Sequence, residues 1–276
     1  MLQERILIGG APGSGKTYAW LTIARNLDKV KFYVIDPDDG TRRVWYSEFP
    51  DVKNIEYYFC PTWFTTDYAA FKVKPNITKI DDGYNRMTYK GGVADAWSII
   101  KSKARENDWV VVEHLQLLWN LVQDAFTNEV FDKNIGNYFL EKRKAAVLGV
   151  KKSEEFKEWQ NWGVIKGLHN NDFVNDVCFD NKAHVFMTTS IGMKQSGEKE
   201  DNEVQSFYGD TNLRYEGEKH NPFRVQTHLI SKTSGRGNDL EYFLNTFIKD
   251  RGREHLVEYK WSDFYMEYLV MIAGWE

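Results

Sequence analysis

The sequence predicts an α/β protein: a mixed sheet with a parallel core and a C-terminal antiparallel hairpin, flanked by helices. Two patterns carry this prediction. Through the first two thirds of the chain, short apolar runs of strand length alternate with helical periodicity, the arrangement that builds βαβ units and a parallel sheet. Over 223–230 and 242–248 the pattern changes to apolar/polar alternation, and Ser234-Gly235-Arg236-Gly237-Asn238 between them has the composition of a hairpin loop. The expected organisation is one domain over 1–276 with a possible helical insertion at about 121–162, a stretch rich in Lys, Glu, Phe and Trp.

Each element follows from local pattern. Arg5-Ile6-Leu7-Ile8 is a buried strand closed by Gly9-Gly10, and Ala19, Leu21, Ile23, Ala24 and Leu27 recur at helical spacing after it. The run 31–35 is a second strand, ended by Asp36-Pro37, and 55–59 a third, ended by Cys60-Pro61. A helix over 94–105 leads to the strand 109–112, which ends in Glu113. Helical pattern resumes over 163–178, and the strand 183–189 ends in Thr188-Thr189-Ser190. A long polar stretch, 192–222, is expected to be a mobile or functional loop.

Composition narrows the function. The 276 residues are 42 % hydrophobic and 28 % charged, with a net charge of -4, an ordinary globular balance without a global basic coat. No apolar run approaches the roughly 18 residues that cross a bilayer. The start, MLQERILIGG, lacks the basic and apolar regions of a signal peptide, so a cytoplasmic location and no membrane partner are expected. Two cysteines, Cys60 and Cys178, are too few for a disulfide framework, and no His pair has HExxH spacing.

The most specific motif is Gly10-Ala11-Pro12-Gly13-Ser14-Gly15-Lys16-Thr17, which fits G-x-x-x-x-G-K-[ST] between a predicted strand and a predicted helix. Glycines let backbone N–H groups converge on a phosphate, and the helix N-terminus adds its positive dipole end. These eight residues, with Tyr18 after them, are the candidate nucleotide-binding set; Lys16 would reach the β/γ-phosphates and Thr17 would ligate Mg²⁺. Glu113, at a strand end, reads either as the Mg²⁺ partner or as the base that activates water. Asp36 ends its strand at the same edge, where it could orient water or simply organise the Asp-Pro-Asp-Asp-Gly turn. Thr189 and Ser190 are placed to sense a γ-phosphate or to cap. In Lys249-Asp250-Arg251-Gly252, the two cations fall on one side of an expected strand and could clamp a phosphate or face solvent.

Together these residues resemble a RecA-like P-loop ATPase, similar in size and order to the compact phage-type RecA-like ATPases associated with recombination and single-strand annealing. The resemblance implies ATP and Mg²⁺, hydrolysis through Lys16 with Glu113 or Asp36, and a finger role for Lys249 and Arg251 on the γ-phosphate of a neighbouring subunit, as in hexameric relatives including DnaB-type helicases. Self-assembly into a ring or filament follows from such a finger. The resemblance also implies DNA, single-stranded favoured, at the 192–222 loop, where Lys194, Lys199, Arg214 and Lys219 supply charge and Phe207 and Tyr208 supply stacking surface. Glu198, Glu200, Asp201 and Glu203 in the same loop repel phosphate, so a loop with no nucleic-acid role is the competing reading. Glu113 departs from the usual Asp, and the resemblance supplies no counterpart for 121–162. A viral DNA-packaging or helicase-type motor shares these parts; a P-loop small-molecule kinase and a non-hydrolysing nucleotide switch are alternatives from other classes.

Overall fold

The computed structural model describes residues 2–65, 77–81, 83, 86–150, 158–194, 208, 212–235 and 237–275. In chain order the first half comprises β1 (Arg5–Gly10), α1 (Lys16–Asn26), β2 (Phe32–Asp36), α2 (Gly40–Glu48), β3 (Ile55–Thr62), β4 (Thr78–Asp81), β5 (Met87–Gly92), α3 (Val93–Lys103) and β6 (Trp109–Val112). The helices α4 (Leu115–Phe131), α5 (Ile135–Val147) and α6 (Glu158–Lys166) come next. A π-helical segment, Gly167–Val174, then runs on into α7 (Asn175–Phe179). The remaining strands are β7 (His184–Thr189), β8 (Ile191–Met193), β9 (Leu213–Tyr215), β10 (Thr227–Ser234), β11 (Glu241–Asp250) and β12 (Tyr259–Trp261), and a second π-helical segment, Tyr265–Val270, follows them.

Ten of these strands form one sheet in the order β12-β11-β10-β1-β7-β6-β2-β3-β5-β4. The seven strands from β10 to β5 pair in parallel, while β11, β12 and β4 pair antiparallel to their neighbours. This is a mixed sheet, parallel in its core, with helices on both faces, in which β7 separates β1 from the Glu113 strand β6. Side chains of a strand alternate between faces. Leu7, Ile35, Val110, Val112, Val185 and Met187 therefore join α3, α4 and α7 in one core. Ile6, Ile8, Val34, Val111 and Phe186 join α1, α2 and the C-terminal segment in the other. Burial on both faces explains why the central strands read as continuous apolar runs.

One boundary is corrected, and the structure adds elements that the sequence pattern does not announce. The hairpin is shifted: Pro222 and Phe223 sit in a 3-10 turn, Asn221–Arg224, and β10 begins only at Thr227. Proline lacks the N–H that a ladder needs, so the strand starts beyond it. The turn after Asp36 leads directly into α2, whose inner face is marked by Thr41 and Trp45. The β4–β5 pair and β12 escape the sequence pattern, because β4 is exposed along its whole length and β12 has three residues. Residues 121–131 continue α4, where Val122 and Phe126 are buried in the core against the sheet. No helix among the described residues is long and apolar enough to cross a membrane.

Candidate functional site

The site lies at the carboxyl ends of the parallel strands, where ligands of such sheets collect. β1 ends in Gly10 and the chain turns through Gly13 and Gly15, both at positive φ (78° and 85°), before α1 starts at Lys16. Glycine is required at position 15 on two counts: left-handed backbone, and an added Cβ would stand 2.7 Å from the Tyr242 ring. Lys16 is buried, and its Nζ donates to the Gly10 and Ala11 carbonyls, each at 2.9 Å. Burial pushes its ammonium down, and Glu113 opposes that effect. The Ser231 hydroxyl of β10 donates to the Ser14 carbonyl and ties the loop to the neighbouring strand.

Glu113 follows β6, anchored by its N–H to the Ile35 carbonyl at 2.9 Å. Thr17 Oγ1 donates to its Oε1 and Trp20 Nε1 to its Oε2, both at 2.8 Å. Thr17 and Trp20 lie three apart on α1 and so share a helix face. Burial raises the Glu113 carboxyl to about 7, the Asp36 charge acts in the same direction, and the two hydrogen bonds and Lys16 oppose it. A hydroxyl and a carboxylate oxygen in contact at the mouth of this glycine loop are the hard oxygen donors that Mg²⁺ takes. The Thr17–Glu113 pair thus fits that ion.

Asp36 is placed differently. Its Oδ1 accepts from the N–H groups of Asp38 and Asp39 at 3.0 and 2.9 Å. Its Oδ2 accepts from the Thr41 N–H at 3.0 Å and the Tyr57 hydroxyl at 2.7 Å. With four donors on two buried oxygens, Asp36 holds the entry to α2, the turn-organising one of its two readings. Burial nevertheless lifts it to about 6.

At the end of β7, Thr189 Oγ1 donates to the Glu216 carbonyl at 2.8 Å, and Ser190 Oγ lies 3.2 Å from His114 Nε2. His114 is a site residue that the sequence reading missed, as is Trp20. Its position directly after Glu113 is the signal that points to it. Burial holds the imidazole near 4, with the Lys16 charge acting alike and Asp38 opposing.

From Ser190 the chain enters the β8–β9 ribbon, which packs against the strand preceding the phosphate loop. A Cβ at Gly9 would meet Tyr215 Cε1 at 2.4 Å and Ile191 Cγ2 at 2.8 Å. Lys194 is buried at the end of this ribbon, its N–H bonded to the Asn212 carbonyl at 2.7 Å. Tyr208 is buried against Tyr215, with ring centroids 5.7 Å apart. Neither offers the surface to DNA that the sequence suggested, because both fold back onto the core. Arg214, on β9, and Lys219, in the following turn, are half-buried, and Arg214 donates to the Tyr215 carbonyl at 3.3 Å. Lys199, Phe207, Glu198, Glu200, Asp201 and Glu203 lie outside the described residues.

Lys249 and Arg251 are not brought to this site. β11 ends at Asp250, so Arg251 stands in the turn after it and does not share a strand face with Lys249, whose side chain is outside the described residues. Asp250 pairs with Thr227, which pairs with Ile6, at the end of β1 remote from the phosphate loop. There burial lowers the Arg5 guanidinium, Cys178 opposes that effect, and the Arg251 charge adds to it.

No protein-family model matches the chain, and no curated protein matches it. Among solved structures, 22 chains match. One is a KaiC-like protein from the hyperthermophilic archaeon Pyrococcus horikoshii, 12 % identical, with 94 % of this chain and 85 % of that chain covered and a TM-score of 0.39.

Proposed function

We propose that this chain is a Mg²⁺-dependent, RecA-like ATPase, one domain over 1–276, that hydrolyses ATP as an oligomer acting on DNA. The carrying observation is the Thr17–Glu113 contact at 2.8 Å beside a buried Lys16 at the mouth of a glycine loop. In this reading the loop N–H groups and the α1 N-terminus receive the phosphates, with Tyr18 beside them, and Lys16 leaves the Gly10 and Ala11 carbonyls to meet the β/γ-phosphates. Thr17 and Glu113 hold Mg²⁺, which neutralises phosphate charge when bound. His114 and Ser190 stand at the adjacent strand ends, where a polar group can register the terminal phosphate. The remote position of Arg251 supports a role for it, with Lys249, on a neighbouring subunit's nucleotide and not on its own. The β8–β9 ribbon, continuous with Ser190 and wedged against Gly9, supports coupling between the nucleotide and the 192–222 loop, where Lys199, Arg214 and Lys219 remain the candidate DNA contacts.

A second reading, a nucleotide switch with little turnover, is favoured by the bonding of the two carboxylates. Both oxygens of Glu113 are taken by Thr17 and Trp20, and both of Asp36 by backbone and Tyr57. Hydrolysis measured with and without single-stranded DNA, across protein concentrations, separates the two readings when Lys16→Ala and Arg251→Ala are included. The motor requires DNA stimulation, a rate per subunit that rises with concentration, and loss of turnover but not of ATP binding in Arg251→Ala. ATP binding with a rate indifferent to DNA, concentration and Arg251 establishes the switch instead.

A further inference from the structure

A helix packed on a protein surface turns its apolar stripe inward and its polar face to water. In α5 that arrangement holds only in part. Tyr138 is its buried residue, and the Tyr138 ring meets Phe131 at the end of α4 with centroids 4.4 Å apart, which sets the side of α5 that rests on the body. Phe139, Arg143 and Val147 recur at i, i+4 and i+8, with Leu140 beside them, and form a second stripe. This stripe faces water: Phe139 is 41 %, Leu140 51 % and Val147 80 % exposed. Arg143 is exposed at its centre, between the exposed Lys142 and Lys144. Contiguous exposed apolar surface of this kind belongs to contact sites.

A groove of complementary character lies on the neighbouring helix. A cavity of about 410 Å³ opens between the carboxyl end of β3 and α4. Trp63, Phe64, Leu121 and Ala125 give it apolar walls, and Asp124 and Glu129 give it negative charge. Leu121, Ala125 and Glu129 also recur at i, i+4 and i+8, so groove and stripe are ridges of one period, the geometry in which two helices interdigitate. Asp124 Oδ1 already accepts from the Ile135 N–H at 3.2 Å. Glu129 is half-buried and makes no ion pair among the described residues, and neither does Arg143. Charge decides which surface the stripe fits. Two α5 stripes laid on each other would set cations against cations, whereas the groove offers a carboxylate.

We infer that α5 of one copy docks in the β3–α4 groove of a second copy of this chain, with Phe139 in the cavity and Arg143 paired with the partner's Glu129. Each copy offers one helix and one groove, so reciprocal docking closes a two-fold pair. Aromatic and Arg side chains are the usual anchors of such contacts. The contact uses neither the glycine loop nor Arg251, so it goes beyond the ATPase reading: it holds two copies together whether or not nucleotide is bound.

The test is sedimentation of the full chain at micromolar concentrations without nucleotide. The native chain and Lys16→Ala should both sediment as dimers. Arg143→Glu and Glu129→Arg each set like charges against each other at both contacts of the pair, and each should raise the dissociation constant about tenfold or more with an unchanged melting temperature. Mixed in equal amounts, the two variants can form a pair with opposite charges at both contacts, so the mixture should dimerise within about threefold of native. A monomeric native chain overturns the inference, and so does a mixture that stays monomeric. A dimer lost in Lys16→Ala overturns it as well, because the contact would then run through the glycine loop. If Glu129→Arg fails to fold, Phe139→Ser decides: it should be monomeric and folded, and a folded Phe139→Ser that dimerises like the native chain overturns the docking.

Discussion

Glu113→Gln should stabilise the ligand-free protein above neutral pH, and the reason lies in the bonding of its two oxygens. Glu113 is 6 % exposed, and its carboxyl is lifted from 4.5 to about 7. The folded state therefore holds a proton that the unfolded chain releases between those values. By linkage, stability falls as pH rises from about 4.5 to 7, and the full cost is present above 7. At 1.36 kcal/mol for each tenfold in proton affinity, that cost is about 3 kcal/mol. A Gln at this position carries no charge to desolvate and keeps both contacts: its carbonyl accepts from Trp20 Nε1, and its amide donates to the Thr17 oxygen, since a hydroxyl can reverse its role. Thermal melts of both proteins from pH 5 to 8.5 would show the variant melting roughly 5–10 °C higher at pH 8, with the gap closing toward pH 5. Mg²⁺-dependent turnover should vanish in the variant at every pH. A variant that melts lower at pH 8, or a gap that does not change with pH, would refute the assignment of Glu113 as a buried carboxyl held by Thr17 and Trp20.

Two further outcomes check the neighbouring geometry. Asp36→Asn turns an amide toward backbone donors and leaves at least one of Asp38, Asp39, Thr41 or Tyr57 unpaired, at about 1–3 kcal/mol; urea unfolding should show that loss, whereas abolished turnover with unchanged stability would restore Asp36 as the base. Gly9→Ala drives a methyl into Tyr215 and Ile191 and should cost about 1–3 kcal/mol, with proteolysis of the β8–β9 ribbon accelerated; a native melting temperature would show that the ribbon does not pack on β1.

The elements that were legible in the sequence are those whose signals are local. The glycine loop before α1 declares itself because backbone at positive φ, as at Gly13 and Gly15, favours glycine wherever such a turn is built. The central strands declare themselves because burial on both faces forces apolar runs, as in Ile6-Leu7-Ile8 and Val110-Val111-Val112. Glu113 and Asp36 were both legible as carboxylates at strand ends, but their division of labour was not. Four donors converge on Asp36 from the turn into α2 and from Tyr57 on β3, while Glu113 meets Thr17 and Trp20 from 96 and 93 residues away.

What the sequence by itself determined is thus a glycine loop between strand and helix, a parallel core and an antiparallel C-terminal pair. What only the tertiary structure decided is which side chains meet. Pairing of β11 with β12 sets Trp261 beside Tyr242 and carries both to Gly15, an encounter no spacing announces. The same antiparallel pairing runs β11 away from the loop, so Arg251 ends at the far edge beside Arg5. Sequence periodicity fixes the face a residue occupies; strand order and direction fix the end of the sheet at which it acts.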